Sequence, residues 1–145
     1  MADMFPAIPE SIPAQAAEDI GRVPAFDSGT NRFLLVDGAL EERTGRAAVQ
    51  QWFDLMLRQQ PGRVPIYRTE DGAAGIGVDR QMIGSKLPSG LITAEIERNV
   101  RETASYCPAV RTIQDFSVTR RGRSCHVAFT AVLHNSESVE VETDV

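Results

Sequence analysis

The chain has 145 residues, a net charge of −5 and a hydrophobic fraction of 42%, enough for one domain with a core and too short for two comfortable ones. No apolar run approaches a membrane span, and no basic start followed by an apolar block marks a secretory signal, so the expectation is a chain made and folded in a cytoplasm with no membrane partner. The acidic balance argues against a nucleic-acid partner, and the one dense basic cluster, Arg120, Arg121 and Arg123, falls in an expected turn, where it reads as a solvated hairpin tip.

Residues 1–30 form a distinct stretch punctuated by Pro6, Pro9, Pro13 and Pro24. That spacing favours extended backbone over a long helix or paired strand, with a short helix allowed only at Ala14 to Ile20. The stretch is expected to be an extended arm, either a free tail or a segment that orders against a partner through Phe5, Ile8, Ile12, Val23 and Phe26. Residues 31–145 are expected to form a single domain. It starts with a small hairpin: the apolar run Arg32 to Val36, the turn signal Asp37-Gly38, then Ala39 to Arg43.

The strongest helical signal runs from Ala47 toward Pro61. Val49, Trp52, Phe53, Met56 and Leu57 recur on one face, Thr44 is placed to cap the start, and Pro61 is expected to end the helix at Gln60. Burial of each large apolar side chain is worth roughly 1.5–3 kcal/mol, so this stripe is the expected anchor of the core. Gln50 and Gln51 lie off it, and Leu55, also off it, suggests a second covered surface. A long irregular stretch from Pro61 to Gly90 follows, holding six of the 11 glycines and an expected short strand at Val64 to Arg68.

Ser89 is placed to cap a second helix running to about Tyr106. Ile92, Ile96, Val100 and Thr103/Ala104 make its apolar stripe, the Glu97–Arg101 pair lies on its exposed face, and Pro108 closes it. Three strands follow: Val110 to Thr119; a second in which Cys125, Val127, Phe129, Ala131 and Leu133 alternate with polar or smaller residues; and a third in which Val139, Val141, Thr143 and Val145 alternate with Glu140, Glu142 and Asp144. The fold class is therefore α+β: a small mixed or antiparallel sheet with a C-terminal β-meander packed on two amphipathic helices. The charged third strand reads as a protected edge open to a chosen partner strand.

The chemistry-bearing residues make no catalytic constellation. Gly75-Ile-Gly77 lacks the third glycine and the strand–helix frame of a dinucleotide loop. His126 and His134 have no metal ligand at useful spacing, and Cys107 and Cys125 lack zinc-site spacing. The two thiols read as buried or half-buried residues in a reducing compartment, with a disulfide as the alternative. Glu70 and Asp71 are the one carboxylate pair to consider for glycoside hydrolysis, and adjacent loop residues are better read as turn chemistry. No catalytic, cofactor or metal site is assigned.

The order of elements, with Val36-Asp37-Gly38, the helix leading to Arg58-Gln-Gln-Pro61-Gly62-Arg63, Gly75-Ile-Gly77 running to Met82-Ile83-Gly84, Cys107-Pro108-Ala-Val110 and Asp115-Phe116-Ser-Val118, resembles the baseplate wedge, or sheath-initiator, family of contractile phage tails and related injection machines. Members of that family have also been described as phage lysozymes. The resemblance spans about Asn31 to Thr143. Many members carry an acidic residue after the Pro-Gly pair, where this chain has Arg63; any docking there must differ, using Glu70 or Asp71. The resemblance implies a structural virion protein, synthesised in the host cytoplasm and placed in the tail baseplate as a ring of copies. Its implied partners are baseplate wedge proteins and the tail sheath protein, with tail tube or hub proteins as further candidates. Val139, Glu140, Val141, Glu142 and Thr143 would take a sheath strand by exchange, and Pro61, Gly62, Arg63, Glu70 and Asp71 would face the wedge. Two other readings stay open. One is a small adaptor, since a bacterial stress-response anti-adaptor resembles this fold; the other is a peptidoglycan-cleaving muramidase.

Overall fold

Helix α1 (Gly45–Met56) is where the stripe of large side chains becomes a core. Val49, Phe53 and Leu57 are fully buried, and Trp52 packs against the cluster at its margin. The Phe53 ring meets Trp52 and Phe129 edge to face, with centroids 5.1 and 5.2 Å apart, the arrangement the ring quadrupoles favour. A computed structural model describes residues 19–67 and 75–145 of the chain.

The helix ends at Met56, earlier than the proline alone dictates, and the carbonyls at and just past its cap find tertiary donors. The Arg80 guanidinium donates to the Arg58 carbonyl (2.7 Å) and the Leu57 carbonyl (3.5 Å), and the Val78 N–H donates to the Gln59 carbonyl (3.1 Å). At the other end Thr44 occupies the cap position in extended backbone, but its hydroxyl caps nothing.

The chain before α1 forms three short antiparallel arms. Strands β1 (Val23–Pro24) and β6 (Glu42–Arg43) pair, as do β2 (Phe26–Asp27) with β3 (Arg32–Phe33) and β4 (Leu35–Val36) with β5 (Ala39–Leu40). The last pair is the expected hairpin; Asp37 and Gly38 both take positive φ, 51° and 79°, as a tight two-residue turn between right-twisted strands requires. The arms meet at a closed ring of backbone hydrogen bonds. Ala25 donates to the Glu41 carbonyl (2.7 Å), Glu41 to the Leu34 carbonyl (3.0 Å) and Leu34 to the Ala25 carbonyl (2.8 Å). Ala25 is completely buried at this centre. Residues Val23–Asp27, part of the stretch read as an arm, are thus hydrogen-bonded to the domain; the first 18 residues lie outside the described ones.

Gln51 ties this junction to α1. Its Oε1 accepts from the Phe26 N–H (2.9 Å) and from Arg43 Nη1 (3.0 Å), while its Nε2 donates to the Pro24 carbonyl (2.8 Å). Ala48 and Gln51 are buried, so the second covered surface suggested by Leu55 centres on those two residues.

The expected strand at Val64 to Arg68 does not form. Pro65–Tyr67 is instead a single 3-10 turn, consistent with a proline that supplies no N–H to a ladder, and Arg68 lies outside the described residues. Residues 75–84 return across the ends of both helices. The Gly77 N–H donates to Thr103 Oγ1 (2.9 Å), and the Asp79 N–H to Asn99 Oδ1 (2.9 Å). Gly77 has φ 115°, and a Cβ there would stand 2.2 Å from the Gln59 carbonyl oxygen, so only glycine fits.

Helix α2 (Ser89–Ser105) buries Ile92, Ile96, Val100, Thr103 and Ala104 as its spacing implies, together with Asn99. Ser89 is inside the helix, Pro88 holds the cap position, and the expected serine cap is not made. Arg101 reaches Glu97 (2.9 Å) on the outer face. Strands β7 (Val110–Arg121), β8 (Ser124–Leu133) and β9 (Ser138–Asp144) form an antiparallel meander in that order. Its inner row, Ile113, Cys125, Val127, Phe129, Ala131, Leu133, Val139, Val141 and Val145, packs with both helices. The α+β architecture with its C-terminal meander is the one the periodicities imply.

Two substitutions test this account. Gln51→Leu keeps apolar bulk but strands the Phe26 N–H and the Pro24 carbonyl; it should lower stability by about 2–3 kcal/mol in urea unfolding and speed hydrogen exchange at Phe26. Gly77→Ala should cost about 2–3 kcal/mol by forcing the loop off Gln59. An unchanged unfolding midpoint in either variant contradicts the corresponding contact.

Candidate functional site

The third strand of the meander has one paired side and one bare side. Cys125 and Val145 exchange both backbone hydrogen bonds, each 2.9 Å, which fixes the phase of the β8–β9 ladder. In an antiparallel ladder, successive residues direct their N–H and C=O alternately toward and away from the neighbour. Val139, Val141 and Thr143, opposite Ala131, Phe129 and Val127, therefore face β8 with their backbone. Ser138, Glu140, Glu142 and Asp144 direct theirs to the free edge, where no described strand pairs with them. Side chains alternate at right angles to this. Val139, Val141 and Thr143 point into the core, and Glu140, Glu142 and Asp144 stand on the outer face.

A groove runs along this edge. Arg46, Ala47 and Gln50 from the exposed side of α1 form one wall, and Ser138, Val139, Glu140 and Glu142 the other, enclosing about 650 Å³. A second hollow of about 380 Å³ shares Ala47, Gln50 and Glu142 with it and adds Arg43, Gln51, Asp54 and Val141. Ala47 leaves the floor shallow. Gln51 holds the neighbouring junction through Pro24 and Phe26 and the groove side through Arg43.

The outer face is acidic and weakly balanced. Glu140 lies opposite Thr130, and Glu142 opposite Ala128, so neither has a cation across the strand. Among the described residues neither forms an ion pair. Asp144 differs: His126 Nδ1 on β8 stands 2.9 Å from its Oδ1. Positions 139–143 thus form one continuous edge. Pro61, Gly62 and Arg63 form a turn beyond the other end of α1, with Gly62 at φ 75° and the Arg63 N–H donating to the Gln60 carbonyl (3.1 Å). Glu70 and Asp71 lie outside the described residues. Sequence reasoning missed Arg46, Ala47 and Gln50 as a groove wall and Gln51 as a strut. Their only local signal was a polar face on an otherwise apolar helix.

No model of a known protein family matches the chain, and no curated protein matches it. No described helix is long and apolar enough to cross a membrane. No group of three or more His, Cys, Asp or Glu converges among the described residues.

The two thiols are free and buried. Burial pushes both up from the ordinary thiol range, opposed at Cys107 by the backbone N–H groups of Ala109 and Val110 and at Cys125 by the charge of Arg120. The thiolate is the reactive form, so alkylation by iodoacetamide at mild alkaline pH should be slow at both sites until denaturant is added. Rapid labelling of the native chain would contradict this packing.

Proposed function

We propose that the chain is a structural baseplate protein of a contractile phage tail or related injection machine, which binds wedge proteins and starts sheath assembly by taking a strand of the sheath protein onto β9. The observation that carries this reading is the row of outward backbone groups at Ser138, Glu140, Glu142 and Asp144 beside the α1 groove. Main-chain hydrogen bonds to that row would supply affinity, and the two-residue alternation would fix register. The order of elements that resembles the sheath-initiator family supports the same assignment. The Pro61–Arg63 turn, with residues 70 and 71, is our candidate wedge contact, and a ring of such copies would sit within the virion baseplate.

A second reading, a small adaptor module, has one observation in its favour. Phe33, Leu35, Val36 and Leu40 on the β3–β5 arms are each more than half exposed, an apolar surface that a strand acceptor does not need. Gene neighbourhood separates the two, because tail genes on both sides favour the baseplate.

The experiment uses proline on the outward positions. Glu140→Pro and Glu142→Pro each remove an N–H that points away from β8, so the fold keeps its ladder. In a pull-down with the sheath protein of the same gene cluster, each should weaken capture about tenfold with little change in thermal midpoint. Unchanged capture by both variants would overturn the assignment of β9 as the acceptor.

A further inference from the structure

We infer that the β9 edge selects its strand by charge, accepting one whose outward positions are basic and whose inward positions are small or uncharged. This rests on the acceptor reading above and names the chemistry of what is accepted.

The outer face of β9 carries Glu140, Glu142 and Asp144 at every second position. A strand added on the free edge places its own outward row directly beside these three, since paired residues share a face of the sheet. Glu140 and Glu142 have only Thr130 and Ala128 across from them on β8, so their charge is not neutralised from that side. Asp144 is engaged by His126, which leaves the two glutamates to carry most of the preference.

The inward row of the added strand meets α1. Ala47 and Gln50 give it a shallow, uncharged floor, Arg43 and Arg46 flank the groove, and the carboxylate on the α1 side, Asp54, is already paired with Arg58 (3.0 Å). Basic side chains turned inward would face those two arginines, whereas basic side chains turned outward would face the glutamates. The edge therefore discriminates between the two phases of one strand as well as between sequences. It also disfavours a second copy of this chain: pairing β9 with β9 sets glutamate and aspartate against each other on the outer face, and like charges directly opposite are destabilising. The acidic row keeps copies of the chain from pairing through β9 while leaving the edge open to a basic strand.

The test uses dye-labelled, end-blocked heptapeptides of alternating sequence, TKVKVKT and TEVEVET, titrated onto the whole chain by fluorescence anisotropy, with amide shifts of β9 followed by NMR. The lysine peptide should bind about tenfold tighter than the glutamate peptide, as two or three exchanged cross-strand pairs imply. The order should reverse in Glu140→Lys/Glu142→Lys, and the preference should shrink between about 0.02 and 0.5 M salt as screening shortens. Glu140→Pro should lose binding of the lysine peptide while Glu140→Gln, which removes the same charge but keeps the N–H, should only weaken it, which separates strand addition from loose charge attraction. Equal binding of both peptides with shifts at the outward amides would overturn the charge selection and leave the acceptor edge standing. Binding to Glu140→Pro as tight as to the parent chain, or no shift at Glu140 and Glu142 with either peptide, would overturn both.

Discussion

The parity of the β8–β9 ladder governs everything built on it. The reciprocal Cys125–Val145 pair sets that parity, and core packing locks it: slipping β9 by one residue would turn Val139, Val141 and Thr143 to solvent and three carboxylates into the core. The same parity decides which backbone groups face outward. The bare edge at Ser138, Glu140, Glu142 and Asp144 is thus a geometric consequence of burying the other residues, and it persists as long as the core does.

An exposed edge is also a hazard, and the surrounding structure limits it. Carboxylates on the outer row oppose pairing between like copies, and α1 stands beside the edge as a wall that any added strand must fit. That wall is held in two ways. Phe53 and Val49 fix α1 to the meander from inside, and Gln51 binds the three-arm junction to its flank. The junction in turn closes on itself through Ala25, Leu34 and Glu41, so its position depends on one short ring of backbone bonds and one amide side chain.

Elements whose burial repeats locally were legible in the sequence. Both apolar helical stripes, the Asp37-Gly38 hairpin and the alternation in β8 and β9 emerge because a helix or strand half in water must repeat its pattern at a fixed period. What depends on distant partners was not legible. The carbonyls past the early end of α1 are taken by Arg80 and Val78, 22 and 19 residues along the chain. The expected strand at Val64 to Arg68 gave way to a turn at Pro65. Gln51 and Asn99 look like solvated helix positions, yet each is buried against loop backbone that periodicity does not describe. The β9 edge was legible as an alternating strand, while the groove beside it needed the placement of Arg46, Ala47 and Gln50.

Amide hydrogen exchange along β9, resolved by residue in the free chain and with the proposed sheath partner added, tests the account most directly. In the free chain Val141 and Thr143 should exchange slowly and Glu140, Glu142 and Asp144 fast; in the complex all five should be slow. Outward amides already protected in the free chain, or still fast when sheath is bound, would contradict it.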